Sequence, residues 1–483
     1  MSINKETIAA ICTGLTGSGI NIIRISGEDA FSIADKVFRS VSKKKVDEFS
    51  SFSVHYGYIV DNVGSVDNTD NVDNAYKTID EVLLLKMQAP HSYTKEDVIE
   101  IDCHGGILVT KRILELILKN GARLAEPGEF TKRAYLNGRI DLSQAEAVID
   151  IINAKSNLAL KNSVRQLKGQ VKDKIFELRE RLISKTAYIE AALDDPEHIS
   201  LDGFSESLEK EVKDITCQVK KLIGSFDEGR FLNEGINTCI LGLPNAGKSS
   251  LLNALLSEDR AIVTDIAGTT RDVLRETVSF GDVVLNIMDT AGIRDTEDII
   301  EKIGVDKARK AADDADLILY VVDLKSGLTK DDKKILEEIN DKKLIIVYNK
   351  SDLVNDNEQA LSINEDKNET AENIACNMGK GITVSSLTGA GIEDLKSEIK
   401  NMFYNGSINN EEDVIITNER HRELLVSADG SLNNVITGIE NGMSEDFLTI
   451  DMMDAYEALG KIVGESVEDD LADRIFKDFC MGK

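Results

Sequence analysis

The chain has 483 residues, 42% of them hydrophobic, and a formal net charge of −29; that length holds about three domains of ~150 residues each. No apolar run approaches the ~18 residues of a membrane-crossing helix, and Met-Ser-Ile-Asn-Lys-Glu at the start contains no signal-peptide core, so a cytoplasmic setting is expected. The acidic balance excludes a grip on nucleic acid through overall basicity, and six scattered cysteines without a C-x-x-C pair exclude a zinc or disulfide framework.

Residues 1–120 mix short strands with helices. Ile20–Ile25, Phe52–Val60, Glu81–Met87 and Val98–Cys103 read as strands, and 107–119 as a helix after His104-Gly105-Gly106. The Asp/Asn-rich stretch Asp61–Asn74 reads as an enlarged loop. From about residue 140 the period changes. Leu160, Val164, Leu167, Val171, Ile175, Leu178 and Leu182 mark one face of a long amphipathic helix, and Leu208, Val212, Ile215, Val219 and Leu222 mark another. After residue 404 the helical pattern returns, with stripes at Leu448, Met452, Ala455, Leu459, Ile462 and at Val467, Leu471, Ile475, Phe479; Ser466 reads as an N-cap between them. The expected organisation is an α+β domain (1–120), an all-α helical domain in two parts (121–235 and 405–483), and an α/β nucleotide domain (236–404) inserted between the two parts.

Gly242-Leu-Pro-Asn-Ala-Gly-Lys248-Ser249 fits the phosphate-loop pattern G-x-x-x-x-G-K-[ST], between a strand-like run ending Ile240-Leu241 and a helix opening at Ser250. Its backbone N–H groups, from Asn245 through Ala246, Gly247, Lys248, Ser249 and Ser250, suit phosphate oxygens. Lys248 suits the β/γ-phosphates, and the Ser249 hydroxyl suits Mg²⁺. Four motifs follow in order. Asp265-Ile266-Ala267-Gly268-Thr269-Thr270 offers the Thr270 hydroxyl to complete the Mg²⁺ shell. Asp289-Thr290-Ala291-Gly292, at the end of the strand Val283–Met288, offers Asp289 to Mg²⁺ through water and the Gly292 N–H to the γ-phosphate. Asn349-Lys350-Ser351-Asp352, after the strand Leu344–Tyr348, offers Asp352 to the N1–H and 2-amino donors of guanine, a pair that adenine lacks. Ser385-Ser386-Leu387 is a weaker base-binding loop. The position after Gly292, where many GTPases place a water-orienting Gln, holds Ile293. Glu301, on a charged segment nine residues beyond Gly292, is the candidate to position water. Asn245 could hold a monovalent cation beside the phosphates in place of an arginine finger, with the carbonyls of Thr264 and Ile266 completing its shell.

The sequence resembles the MnmE (TrmE) family of tRNA-modifying GTPases over essentially its whole length. The likeness rests on Ile23-Arg-Ile-Ser-Gly27, the block Glu126-Pro-Gly-Glu-Phe-Thr-Lys-Arg-Ala-Tyr-Leu-Asn-Gly-Arg139, Thr264-Asp-Ile-Ala-Gly-Thr-Thr-Arg-Asp272, and Cys480-Met-Gly-Lys483. It departs at Thr13–Gly19, which lacks the Pro and Arg usual in the family's first turn. The resemblance implies K⁺ ligation by Asn245, Thr264, Ile266 and Thr269, Mg²⁺ ligation by Ser249 and Thr270, and Glu301 acting on the attacking water through a bridging water. It implies a homodimer formed by the N-terminal domain, K⁺-dependent pairing of the GTPase domains, and a tetrahydrofolate derivative (5-formyl or 5,10-methylene) bound at Arg24, Glu100, Arg139 and Lys483. It also implies a FAD-containing partner (the MnmG/GidA family), with which a carboxymethylaminomethyl or aminomethyl group is built on C5 of the wobble uridine of certain tRNAs. Cys480 is a candidate for that chemistry. A function of another class, a regulatory GTPase switch in ribosome assembly or stress response, would need neither the folate-type domain nor the cysteine-bearing tail.

Overall fold

Alternation of apolar and polar residues builds a seven-stranded sheet in the N-terminal part of this computed structural model, which describes residues 6–15, 17–62, 76–201, 203–258, 276–288, 314–339, 342–354, 381–404, 413–466, 474–477, 479, 482 and 483. Its strands are β1 (Ile8–Ile11), β2 (Ile20–Ser26), β3 (Phe38–Ser40), β4 (Ser53–Asn62), β5 (Tyr76–Met87), β6 (Val98–His104) and β7 (Arg123–Leu124), in the order β3-β4-β5-β6-β2-β1-β7. Neighbours run antiparallel except β1 with β7. Ile23 and Ile25, Ile99 and Ile101, and Val82 and Leu84 point to one face, where the helices Ala30–Val37 and Ile107–Lys119 cover them in a single core. The intervening residues point the other way. Arg24 pairs in register with Glu100 on that second face, which also leaves Ile20, Val54, Tyr56, Tyr58 and Leu83 exposed.

This sheet belongs to one of two compact units, formed by residues 1–149, 166–208 and 434–483. The stripe Leu448, Met452, Ala455, Leu459, Ile462 is buried on the helix Glu445–Val463, which packs along the helix Gln170–Asp194. The other unit is formed by residues 150–165 and 209–433. Its sheet has six strands: β8 (Ile236–Leu241), β9 (Glu276–Phe280), β10 (Val283–Ile287), β11 (Leu317–Asp323), β12 (Leu344–Asn349) and β13 (Ile382–Thr383), in the order β13-β12-β11-β8-β10-β9. All neighbours are parallel except the β9–β10 hairpin. A parallel sheet must be covered on both faces, and two separate cores meet that need. One joins Leu319 and Val321 to Leu251 and Leu395; the other joins Ile318 and Tyr320 to Leu336. The architecture is therefore multidomain: an N-terminal α+β part, helices, and an α/β sheet of the P-loop type. Among the described residues, no helix is long and apolar enough to cross a membrane.

The long helix expected across Leu160–Leu182 is two helices, Asn157–Leu167 and Gln170–Asp194. Gly169 separates them at φ +98°, a backbone state that ends regular helix and that glycine adopts without a Cβ clash. Leu160 falls outside the buried stripe, at 41% exposure, whereas Val171, Ile175, Leu178 and Leu182 are buried as expected. The expected loop at 61–74 begins later than its composition suggests, because Asp61 and Asn62 still pair with β5; residues 63–75 lie outside the described set. Of the stripe Val467–Phe479, Val467 and Leu471 also lie outside it.

Candidate functional site

β8 lies between β11 and β10, so the chain leaves it toward one side of the sheet and returns on the other. Ligands of such sheets sit at the carboxyl ends of the strands beside that reversal, and there β8 runs into the loop Gly242–Gly247 and the helix Lys248–Glu258. Two glycines in this loop are dictated by space. A Cβ on Gly242 (φ +144°) would stand 2.2 Å from the Val321 carbonyl oxygen, and one on Gly247 (φ +97°) would stand 2.2 Å from the Asn349 amide nitrogen. Asn245 also takes positive φ (+62°). Lys248 Nζ donates to the carbonyls of Gly242 (2.9 Å) and Leu243 (2.8 Å), and burial pushes its ammonium below the ordinary lysine range. An incoming phosphate would compete with those carbonyls for the same ammonium. Ser249 and Ser250 are exposed in the first turn of the helix, and Ala246 is buried.

The base-reading motif is tied to this loop by Asn349, which is buried at the end of β12. Its amide nitrogen donates to the carbonyls of Ala246 and Gly247, both at 3.3 Å. Its amide oxygen accepts from the Lys350 N–H (2.8 Å), the Ser386 N–H (3.1 Å) and the Ser386 hydroxyl (2.9 Å). One side chain thus joins three segments that the sequence presents as separate motifs. Lys350, at φ +66°, reaches back to donate to the Asn245 carbonyl (2.7 Å) and to Asp323 (2.8 Å). Burial raises the Asp323 pKa, but the hydrogen bond from Lys350 and the Lys325 N–H outweigh it and hold the carboxyl below the usual range. The Asp352 carboxylate accepts from the Ser385 hydroxyl, and the Ser385 oxygen accepts from the Thr388 N–H at 3.2 Å. The Ser351 N–H donates to the Val384 carbonyl, which fixes the two loops against each other.

Sequence reasoning missed Asp323 and the role of Ser386. Asp323 ends the strand Leu317–Asp323 but belongs to no motif, so the spacing that marked Asn349–Asp352 did not mark it. Thr264, Asp265, Ile266, Ala267, Gly268, Thr269 and Thr270, the motif Asp289, Thr290, Ala291, Gly292, and Glu301 lie outside the described residues, as does Cys480.

The four expected folate residues belong to one unit and come from four separate segments of it. Arg24 on β2 donates through Nε (2.8 Å) to Oε1 of Glu100 on β6, and its Nη2 stands 2.7 Å from the same oxygen as an ion pair. Its remaining nitrogen, Nη1, is buried without a hydrogen-bond partner. The Arg24 guanidinium stands 5.3 Å from the Tyr93 ring centre and 5.4 Å from that of Phe130, and the Arg139 guanidinium stands 4.7 Å from Tyr93. Lys483 arrives from the other end of the chain. Its carbonyl accepts from the Thr131 N–H at 3.0 Å, and Gly482 lies so close to Cys12 that a Cβ would come within 2.4 Å of the Cys12 Cα. Burial pushes the Cys12 thiol up, partly offset by the positive charge of Arg24 nearby. Tyr93, Phe130, Thr131 and Cys12 had no signal of their own in the sequence.

Two family models match this chain: the MnmE helical domain over residues 142–480, and the GTP-binding protein TrmE N-terminus over residues 7–139. The chain is 54% identical over 479 residues to a tRNA modification GTPase MnmE of Lachnoclostridium phytofermentans, with 99% of each chain covered. It is 46% identical over 482 residues to one from Clostridioides difficile, again with 99% of each covered. Over part of its length it is similar to the structure of Era in complex with MgGDPNP and a 16S ribosomal RNA segment, at 24% identity and a TM-score of 0.28, covering 41% of this chain and 66% of that one.

Proposed function

The chain belongs to the MnmE family of tRNA modification GTPases, an enzyme that hydrolyses GTP in tRNA modification, and we propose that its GTPase is K⁺-activated and drives modification of C5 of the wobble uridine. Asn349 carries the nucleotide half of this reading: it fastens the base-reading loops to the phosphate loop, so guanine recognition and phosphate recognition share one rigid frame. Asp352 accepts from guanine, Lys248 and the N–H groups of 245–249 take the phosphates, and Glu301 orients the attacking water. Ser249 and Thr270 would hold Mg²⁺, and Asn245, Thr264, Ile266 and Thr269 would hold K⁺; these ions would offset the charge that develops on the phosphates. The exposed hydroxyl of Ser249 and the exposed side chain of Asn245, both at the loop, suit those two roles.

The N-terminal cluster is read as the site of a tetrahydrofolate derivative that supplies the one-carbon unit. The buried, unpartnered Arg24 Nη1 supports this: a buried donor without an acceptor costs about 1–3 kcal/mol, more when charged, and a ligand acceptor removes that cost. With Oε1 of Glu100 taken by Arg24, Oε2 would be the oxygen to receive ligand N–H groups, of the kind the edge of a pterin offers. The apolar residues left exposed on the second face of the seven-stranded sheet suit a homodimer, and the acidic charge suits a FAD-containing partner that carries much of the tRNA grip. The insertion of the GTPase segment 236–404 between helical segments 121–235 and 405–483, and a cytoplasmic setting, belong to the same reading.

The test is GTP turnover in K⁺ and in Na⁺, with and without Glu301→Ala. Turnover in K⁺ should exceed that in Na⁺ at least about tenfold, a part of the 10³–10⁵ that an arginine finger contributes, and Glu301→Ala should abolish the K⁺ rate. Equal rates in the two salts would overturn the cation site. Nucleoside analysis of tRNA from a deletion strain should show the wobble-uridine modification missing; unchanged wobble uridines would favour the regulatory switch.

A further inference from the structure

Arg24 and Arg139 are like charges held by one aromatic ring. Their guanidinium carbons stand 5.3 and 4.7 Å from the Tyr93 ring centre, so the two cations can be no farther apart than those lengths laid end to end. Glu100 neutralises Arg24 through a single oxygen, and Arg139 is exposed. Two such cations repel, and long side chains left to themselves would swing apart. The electron-rich face of a tyrosine attracts a guanidinium, and here it does so for both.

Tyr93 is itself fixed from several directions. Its hydroxyl shares a hydrogen bond with the buried Thr131 hydroxyl (2.9 Å), and the Thr131 N–H donates to the Lys483 carbonyl. The residues that follow it are pinned. The Thr94 hydroxyl meets Ser26 (2.7 Å), the Thr94 carbonyl accepts from Asn137 (2.6 Å), Lys95 Nζ donates to the Gly138 carbonyl (3.0 Å), and Glu96 pairs with the buried Arg133. Tyr93 therefore touches Arg24 and Arg139 directly, reaches Lys483 through Thr131, and stands on a segment with little freedom to move.

We propose that Tyr93 is the positioning residue of the N-terminal site, holding both Arg24 and Arg139 on its ring so that they meet an anionic, folate-class ligand without a cost of ordering at the moment of binding. This inference rests on the folate reading above. It assigns Tyr93 no contact with the ligand: the ring acts through the two guanidiniums, so its electrons matter more than its shape.

The experiment is titration of the full chain with 5-formyltetrahydrofolate, comparing Tyr93→Phe, Tyr93→Leu and a chain with pentafluorophenylalanine at position 93. Phenylalanine keeps the ring face and should lose about fivefold in affinity, the typical worth of one neutral hydrogen bond. Pentafluorophenylalanine keeps the shape but reverses the ring's charge distribution, and leucine removes the ring; each should lose at least about tenfold. GTP turnover should be unchanged in all three. Equal affinity for the phenylalanine and pentafluorophenylalanine chains would overturn the proposal, and the fluorinated ring keeps that comparison available even if Tyr93→Leu does not fold. A parent chain that binds none of the probe would overturn the folate reading, and the inference with it; a parent that binds while every variant binds equally would overturn the inference alone.

Discussion

The nucleotide site and the N-terminal cluster, on the folate reading proposed above, would each hold an anionic ligand, in opposite ways. In the nucleotide site the main chain does most of the work. Gly242, Asn245 and Gly247 bend the loop through positive φ, and Asn349 locks that loop to the Asn349–Asp352 and Ser385–Leu387 segments through carbonyls and N–H groups. In the N-terminal cluster side chains do the work: Arg24 from one strand, Glu100 from the next, Arg139 after a helix, and Lys483 from the end of the chain. A main-chain site needs a particular local sequence, and its residues must be contiguous. A side-chain site needs only that the fold bring distant positions together.

This contrast can be broken most forcefully at Lys248. Lys248→Ala removes the ammonium that the proposed reading gives to the phosphates, and GTP turnover should fall roughly 10²–10³-fold, the worth of one or two charge-assisted hydrogen bonds. Titration with 5-formyltetrahydrofolate should be unaffected, and a parallel loss there would mean the two sites are not separate. Asn349→Ala comes next. It leaves the Lys350 and Ser386 N–H groups without their acceptor, which should lower stability by about 2–4 kcal/mol in denaturant unfolding and weaken GDP binding. A normal GDP affinity in that variant would show that the phosphate and base loops do not depend on each other. Arg24→Gln should weaken the folate probe about tenfold or more and leave GTP turnover untouched, because no main-chain frame replaces the lost guanidinium.

The smallest expected effect is on pH dependence. Glu129 is buried, which raises its pKa, but hydrogen bonds from Arg123, the Glu126 N–H and Arg133 outweigh that and hold it below the ordinary glutamate range. A depressed folded-state pKa means that the stabilisation is present in full above the unfolded value and is lost as pH falls through the folded one. Thermal unfolding of the parent should therefore show a loss of stability as pH falls below the ordinary glutamate range that Glu129→Gln does not show; identical pH profiles would contradict the assignment.

How much was legible in the sequence follows the same division. Strands β2, β4, β5 and β6 and the helix Ile107–Lys119 were readable because period and composition are local; β5 begins at Tyr76, five residues before the point where its apolar residues announce it. The two-residue strands β7 and β13 and the short β3 carry no period long enough to read. Gly169 was overlooked because a 3.6-residue stripe continues in phase across it, although the backbone does not. The phosphate loop and the Asn349–Asp352 motif were legible by spacing, and Asp323 was lost only because it stands alone at a strand end. Spacing gave no hint of the Arg24–Glu100 pair, since 76 residues separate its members, nor of Tyr93, which becomes significant only once β2 and the helix Glu129–Leu136 are placed beside it.

The sharpest measurement is nucleotide affinity on the parent chain and on Asp352→Asn, using GDP, ADP and XDP. The parent should prefer GDP to ADP by about 10²–10⁴-fold, because the carboxylate can accept from two donors of guanine and adenine offers no such pair. In Asp352→Asn the acceptor becomes partly a donor, so GDP should lose that advantage and XDP, with an oxygen in place of the 2-amino group, should gain affinity. Equal binding of GDP and ADP by the parent, or an unchanged preference in Asp352→Asn, would contradict the account.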